Sequence, residues 1–382
     1  MIVTVVCDVL GKPNNGTTIA ALHLIETLQK AGDEVRIVCP DEEHEGEDRY
    51  FVLPKYNFGV FQPIFDHNGV CLAKPVVKTL REALSGAGEV HIMMPFFAGV
   101  KAAKLCKELG IPVSAGFHVQ AENVTAHFNV LLHMKHVNRG VYKWMWKHFY
   151  RYIDTIHYPT QFIRDVFEGA IGRKTPGVVI SNGVSSDFKP IESVRPAGWE
   201  KKFIIVMTGR YSKEKNQKLL IKAISLSKHK KDIQLVLAGS GPRINELKKC
   251  AKRHKIEPYF QFYTHPELIK ALSMADLYVH ASRVEIEAIS CLEAIACGLT
   301  PLINNSPLSA TKSFALSEKN LFKEDDAKDL ARKIDYWFEH PEEREENRKL
   351  YAAYVGQFDF DMCMEKMVKM VHDTANTKVP SL

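Results

Sequence analysis

The sequence predicts an α/β protein built from two doubly wound, Rossmann-like domains facing a cleft. Three observations carry that prediction. Short apolar, β-branched runs alternate with longer helical patterns along the 382-residue chain. The alternation halts at a polar, proline-bearing stretch near the middle and then restarts. The composition, 46% hydrophobic and 25% charged, is that of a globular protein and excludes disordered or collagen-like chains.

In the first half the apolar runs lie at 2–9, 34–39, 89–94, 112–118, 155–158 and 177–180. Each has the length and β-branched content of a buried strand. Helical spacing appears between them at 17–31 and 99–109. Asn182-Gly183-Val184 closes this half. Residues 185–200 are polar, hold Pro190 and Pro196, and read as a linker. The second half opens with the run at 203–208 and continues at 234–238, 260–263, 277–280 and 300–303. Helical patterns at 216–227, 245–254 and 327–339 separate these runs. Such alternation gives parallel sheets with helices on both faces. The expected domains are 1–190 and 191–357, with 358–382 forming a last helix that returns to the first domain. Asp359 is placed to cap that helix, and Asp361 falls in its first turn, where the helix dipole favours an acid. Ligands of such sheets bind beyond the carboxyl ends of the strands. With two domains, the cleft between them is the expected site.

The net charge of +6 is mild for the chain and does not argue for nucleic acid as a partner. Its distribution is uneven. Residues 123–153 contain no Asp or Glu but hold Lys135, Arg139, Lys143, Lys147 and Arg151. This local +5 leaves only +1 for the other 351 residues. No run of about 18 apolar residues lacks a charge, so no membrane span is expected. The eight cysteines form no C-x-x-C pair and fall in apolar patterns, as buried free thiols of a reducing compartment do. The apolar start at residues 2–6 lacks a basic region and cleavage site, so it reads as a first strand. The expected location is the cytoplasm.

Four segments could carry chemistry. Gly11-Lys12-Pro13-Asn14-Asn15-Gly16-Thr17-Thr18 has P-loop glycine spacing, but Thr17 occupies the place of the required lysine, so a Walker motif is rejected. A plain βα turn and an anion site at a helix start both fit it. Gly209-Arg210-Tyr211-Ser212-Lys213-Glu214-Lys215-Asn216 follows the strand at 203–208. Arg210 as a fork and Lys215 as a point charge there suit a diphosphate, and a solvated basic loop is the alternative. Gly239, in Ala238-Gly239-Ser240-Gly241-Pro242, permits close backbone approach at another strand-to-helix turn. Glu285-Ile286-Glu287-Ala288 follows the strand at 277–280 and enters a helix containing Glu293, expected about two turns in. Carboxylates at 285 and 293 could accept hydrogen bonds from sugar and ribose hydroxyls. Glu293 sits among Ile289, Leu292 and Ile295, and an acid in such a setting needs a partner. Asp359-Phe360-Asp361 matches a metal-binding D-x-D pattern, but its place at a helix start favours capping.

Taken together and in order, these segments resemble retaining glycosyltransferases of the GT-B fold, family 4. Asn14-Asn15-Gly16 is similar to the family's first glycine loop, and Gly116-Phe117-His118 to its first-domain histidine element. Ser181-Asn182-Gly183-Val184 resembles the closing P-N-G-V element, with Ser181 in place of proline. Gly209-Arg210 through Glu214-Lys215-Asn216 resembles G-R-x-x-x-E-K-N. Glu285 to Glu293 resembles E-x7-E, followed by Ala294-Ile295-Ala296-Cys297-Gly298. The resemblance implies a hexosyltransferase with a nucleotide-sugar donor, UDP-glucose or UDP-galactose. It implies that Arg210 and Lys215 neutralise the diphosphate and that Glu285 holds the sugar hydroxyls. Glu293 would hold the ribose, and His118 and Gly16 would face the sugar and acceptor. It also implies retention of anomeric configuration, no cofactor and no metal, since two fixed cations stabilise the leaving group. One departure stands out. The family places glycines after the first glutamate, where this chain has Ile286, Glu287 and Ala288, a change that bears on the donor sugar.

The acceptor reading rests on the basic segment. On a helix, cations spaced by four form a stripe drifting about 40° per step. Val141, Tyr142, Trp144, Met145, Trp146, Phe149, Tyr150 and Tyr152 interleave with them. Such a helix, over 131–152, suits an anionic membrane surface, and a first-domain helix packed on its sheet is the alternative. The segment from His118 to Thr125, and Leu308-Ser309-Ala310-Thr311, resemble patterns of glycolipid-forming members. The expected enzyme is peripheral to the inner face of the cell membrane and moves a hexose to a lipid such as diacylglycerol. The alternatives are an enzyme of surface polysaccharide or lipopolysaccharide synthesis, a silent sugar-nucleotide-binding protein, and an epimerase of the same fold.

Overall fold

The computed structural model describes residues 1–10, 16–57, 59, 72–122 and 135–377. The chain divides into two compact units. Unit 1 comprises Met1–Asn182 with Met362–Leu382, and unit 2 comprises Gly183–Asp361. Both are parallel-sheet, Rossmann-like α/β domains.

The strands of unit 1 are β1 (Ile2–Val6), β2 (Glu34–Cys39), β3 (Tyr50–Val52), β4 (Glu89–Ile92), β5 (Val113–Gly116), β6 (Thr155–Tyr158) and β7 (Gly177–Val179). Their order in the sheet is β3-β2-β1-β4-β5-β6-β7, every pairing parallel. The helices are α1 (Gly16–Lys30), α2 (Val77–Leu84), α3 (Phe97–Leu109), α4 (Lys135–His148) and α5 (Gln161–Ile171). The central strands β4 and β5 are covered on both faces and buried at every position, and their polar residues pair across the strands: Ser114 N donates to Glu89 Oε1 at 2.9 Å, and Ser114 Oγ lies 2.8 Å from His91 Nδ1. The strand order reverses between β1 and β4, where ligands of doubly wound sheets bind.

Unit 2 has β8 (Phe203–Thr208), β9 (Ile233–Ala238), β10 (Tyr259–Gln261), β11 (Leu277–His280), β12 (Pro301–Asn304) and β13 (Leu321–Phe322). Their order is β10-β9-β8-β11-β12-β13, again all parallel, with the reversal between β8 and β11. The helices are α6 (Gln217–Leu226), α7 (Ile244–His254), α8 (His265–Ser273), α9 (Ile289–Ala296), α10 (Ala327–Glu339) and α11 (Pro341–Val355). Two apolar layers sandwich the sheet, one including Trp337 and Leu220, the other Tyr351 and Leu292.

The unit boundaries differ from the expected 190/191 and 357/358. Residues 183–190 belong to unit 2 because Val184 donates to Phe358 O at 2.8 Å and Phe188 is buried in the unit 2 core. The stretch read as a linker is thus held on unit 2: Arg195 Nη2 donates to Asp276 Oδ2 at 2.8 Å. The last helix, α12 (Phe360–Ala375), starts one residue after Asp359. It buries Met364, Met367, Met370 and Val371, and His372 Nε2 lies 2.7 Å from Asp33 Oδ2 in unit 1.

Candidate functional site

In unit 2 the strand-order reversal brings the carboxyl ends of β8 and β11 side by side. The segment after β8 carries Gly209, Arg210 and Lys215, and the segment after β11 carries Glu285. Residues 70 apart in sequence therefore meet: Lys215 Nζ lies 2.5 Å from Glu285 Oε1. The aliphatic stem of Lys215 passes Gly209, which has φ of 132°, and a Cβ there would contact Lys215 Cδ at 3.6 Å. Gly239 serves backbone approach: a Cβ on it would lie 2.1 Å from Gly209 O. Arg210 is exposed on the same loop, and its carbonyl accepts from Gln217 Nε2 at 2.9 Å.

Glu285 is fixed from both sides. Its carbonyl accepts from Ala310 N at 2.9 Å, which ties the turn to Leu308-Ser309-Ala310-Thr311. Its carboxylate also meets His280 Nε2 at 3.2 Å. Burial would raise the Glu285 pKa, but the Lys215 charge and the His280 hydrogen bond overcome burial and hold it well below the usual carboxylate range. His280 is 1% exposed, and burial lowers its pKa despite Glu285. A polar chain extends behind it. Tyr278 Oη lies 3.4 Å from His280 Nδ1 and 2.8 Å from Thr208 Oγ1. His280 and Tyr278 are absent from the sequence expectations. Their signal was a histidine closing the otherwise apolar run at 277–280.

The turn from Glu285 to Ala288 departs from the expected geometry at one point. Ala288 adopts φ 65° and ψ 58°, a left-handed conformation that costs a residue with a Cβ roughly 1–2 kcal/mol. The helix starts after it, so Glu293 is its fifth residue, just over one turn in and not two. Glu287 is buried and partnered, and Ile286 is half-buried. Glu293 is half-buried and has no hydrogen-bond or ionic partner among the described residues. Burial pushes its carboxyl up to about 7.

The remaining predicted residues lie in unit 1. Gly16 opens α1, and residues 11–15 of the preceding turn lie outside the described residues. His118 follows β5 and folds back on it: a Cβ at Gly116 would lie 2.3 Å from His118 Nε2. Burial first, then His157 and His91, keep the His118 pKa well below the usual range. Its ring meets that of His157 edge-on at 5.6 Å. In the basic segment, residues 123–134 lie outside the described residues, as does the end of the His118–Thr125 pattern. On α4, Tyr142 and Met145 turn into the core, as does Phe149 just beyond it, so the interleaved aromatics do not form one surface. Arg139, Lys143, Lys147 and Trp144 are exposed, Trp144 by 51%. Arg139 Nε donates to Ala170 O at 3.1 Å, at the end of α5. No described helix is long and apolar enough to cross a membrane, and no described trio of His, Cys, Asp or Glu is placed to hold a metal.

Comparison with known proteins follows this division. Residues 14–188 match the model of Glycosyltransferase Family 4, and residues 191–352 that of Glycosyl transferases group 1. The alpha-monoglucosyldiacylglycerol synthase of Streptococcus pneumoniae is 24% identical over 312 residues, 77% of this chain and 68% of that protein. A crystal structure of Anabaena Alr3699/HepE in complex with UDP superposes with a TM-score of 0.72 at 15% identity, covering 97% of this chain and 99% of that one. The catalytic domain of cholesterol-alpha-glucosyltransferase from Helicobacter pylori is 51% identical over 40% of this chain and 96% of its own, with a TM-score of 0.39.

Proposed function

The chain belongs to the group 1, family 4 glycosyltransferases of GT-B fold, and from that premise we propose that it moves a hexose from a UDP-sugar to a membrane lipid such as diacylglycerol, with retention. The observation that carries the donor half is Glu293. A half-buried carboxyl with no hydrogen-bond or ionic partner among the described residues, in the helix after β11, suits a pair of ribose hydroxyls. The UDP complex of the Anabaena relative supports the same nucleotide. Lys215 is paired with Glu285 in this structure. A donor would draw the ammonium toward its diphosphate, with Arg210 beside it, and leave Glu285 for the sugar hydroxyls. Both cations would stabilise the charge that develops on the leaving UDP, so no metal is required. His118, held neutral, would face the transferred sugar. Gly239 shapes the loop contact, while Ile286, Glu287 and Ala288 would border the sugar in place of glycines.

The lipid half is supported by the exposed cations and Trp144 of α4, and by the similarity to a monoglucosyldiacylglycerol synthase. The test is transfer from UDP-glucose and UDP-galactose to diacylglycerol and other lipids in vesicles, with chelator present, read by mass spectrometry. Glycolipid formation is expected. Glu293→Ala and Lys215→Ala are each expected to lower kcat/KM by 100-fold or more. Unchanged activity in either variant sinks the site assignment, and transfer only to soluble glycans sinks the lipid reading.

A further inference from the structure

Between α3 and α4 of unit 1 lies a groove of about 880 Å³. Its walls are Phe97 and Val100 from α3 with Val137, Val141, Trp144 and Met145 from α4. Phe97 is 43% exposed and Trp144 51%, so two large rings stand half in solvent at its edge. Among the described residues of the lining the only charged side chains are Lys101 and Lys104, and none is an acid. The groove reaches the carboxyl-end side of the sheet through Pro95, after β4, and Val119, after β5. Val119 directly follows His118.

We propose that this groove receives the hydrocarbon part of the lipid acceptor, with the acceptor hydroxyl toward His118. The inference rests on the lipid reading above and adds the place where the lipid lies. A glycan acceptor needs hydrogen-bonding groups along its length, and the described residues of these walls offer mainly apolar surface instead. Ligand pockets span about 300–1,000 Å³, so the volume is adequate for one long chain. Lys101 and Lys104 complement the phosphates of an anionic lipid layer, as do Lys143 and Lys147, exposed on α4. A half-exposed tryptophan on a basic helix sits naturally at such an interface.

The test uses full-length protein and a diacylglycerol with a diazirine in one acyl chain, presented in phosphatidylcholine/phosphatidylglycerol vesicles. After illumination, label is expected on peptides from α3 and α4. Gly140→Leu places a side chain in the groove lining where a Cβ meets nothing within 4 Å. It also substitutes a strong helix former, so the fold should hold, which circular dichroism and melting verify. It should cut labelling at least 10-fold. The kcat/KM ratio of dioleoylglycerol over dioctanoylglycerol should fall about 10-fold. Label confined to other segments, or a Gly140→Leu protein that labels and discriminates chain length like wild type, overturns the groove. So does a dimer in sedimentation velocity cross-linked through these helices. Absence of transfer to every lipid instead sinks the acceptor reading, a result distinct from mislocated label.

Discussion

Burial of the Glu293 carboxyl costs stability, and under the proposed function that cost is what its ribose contact would offset. An ordinary glutamate near 4.5 is pushed up to about 7 here by burial. The folded state therefore keeps a proton that the unfolded chain releases, and stability falls as pH rises from about 4.5 to 7. A shift of this size corresponds to at most about 3 kcal/mol. Glu293→Gln should raise the melting temperature at pH 8, by about 1–3 kcal/mol of stability, and leave it unchanged near pH 4.5. It should also abolish transfer. Hydroxyls donating to the carboxylate favour its charged form, so UDP binding at pH 6.5 should release protons, seen as buffer-dependent heats in calorimetry. A flat pH dependence of the melting difference would contradict both. Ala288 carries a second local cost, in its left-handed backbone. Ala288→Gly removes left-handed strain and should stabilise the protein by roughly 0.5–1 kcal/mol, since glycine's greater unfolded entropy offsets part of the gain. Chemical denaturation measures it. Arg210, Lys215 and Glu285 stood out in sequence as charges just after strand ends, and the structure brings Lys215 and Glu285 2.5 Å apart; Glu293 stood out as an acid within an apolar helix, and the roles of all four are those proposed above. His280 and Tyr278 did not stand out, because residues inside an apolar run read as core until the strand order shows which ends adjoin.

At the scale of the element, α4 is where sequence and structure part. The spacing of its cations was visible in the chain, and the exposed Lys143 and Lys147 follow it. The aromatics were not separable from sequence, because a stripe that drifts around a helix places some on each face. Tyr142 goes inward, where its hydroxyl donates to Glu122 Oε2 at 2.7 Å, while Trp144 stays out. The strands were easier to read. A buried parallel strand must be apolar on both faces, so β8 and β11 declare themselves, whereas the two-residue β13 and the three-residue β3 are too short to show a period. The membrane reading of α4 makes a direct prediction. Each cation near an anionic surface contributes about 1 kcal/mol. Lys143→Glu with Lys147→Glu should then weaken sedimentation with anionic vesicles by about 30-fold or more. Wild-type protein should release at high salt, as screening shortens the reach of the charges. A wild type that ignores vesicles, or a double variant that binds like it, ends the membrane role of this helix.

At the scale of the molecule, the two units are not two consecutive stretches of chain. Unit 1 is completed by Met362–Leu382, 180 residues downstream of Asn182. The pattern of Met364, Met367, Met370 and Val371 made a final buried helix returning to the first domain an expectation, and the contact it makes there, His372 Nε2 2.7 Å from Asp33 Oδ2, is visible only in the structure. Those four apolar side chains are each at most 6% exposed. Burying each contributes roughly 1.5–3 kcal/mol, and their sum is comparable with the 5–15 kcal/mol of net stability typical of a domain. A chain ending at Asp361 should therefore lose the fold of unit 1 and keep that of unit 2, whose core includes none of them. Hydrogen exchange reads the two separately. Amides of β1 and β2 should lose protection by several orders of magnitude, while those of β8 and β11 stay protected and UDP still binds. His372→Ala, which removes one polar contact and no apolar burial, should cost only about 1 kcal/mol. If truncation leaves β1 protected, α12 is dispensable to unit 1; if it unprotects β8 as well, the units fold as one.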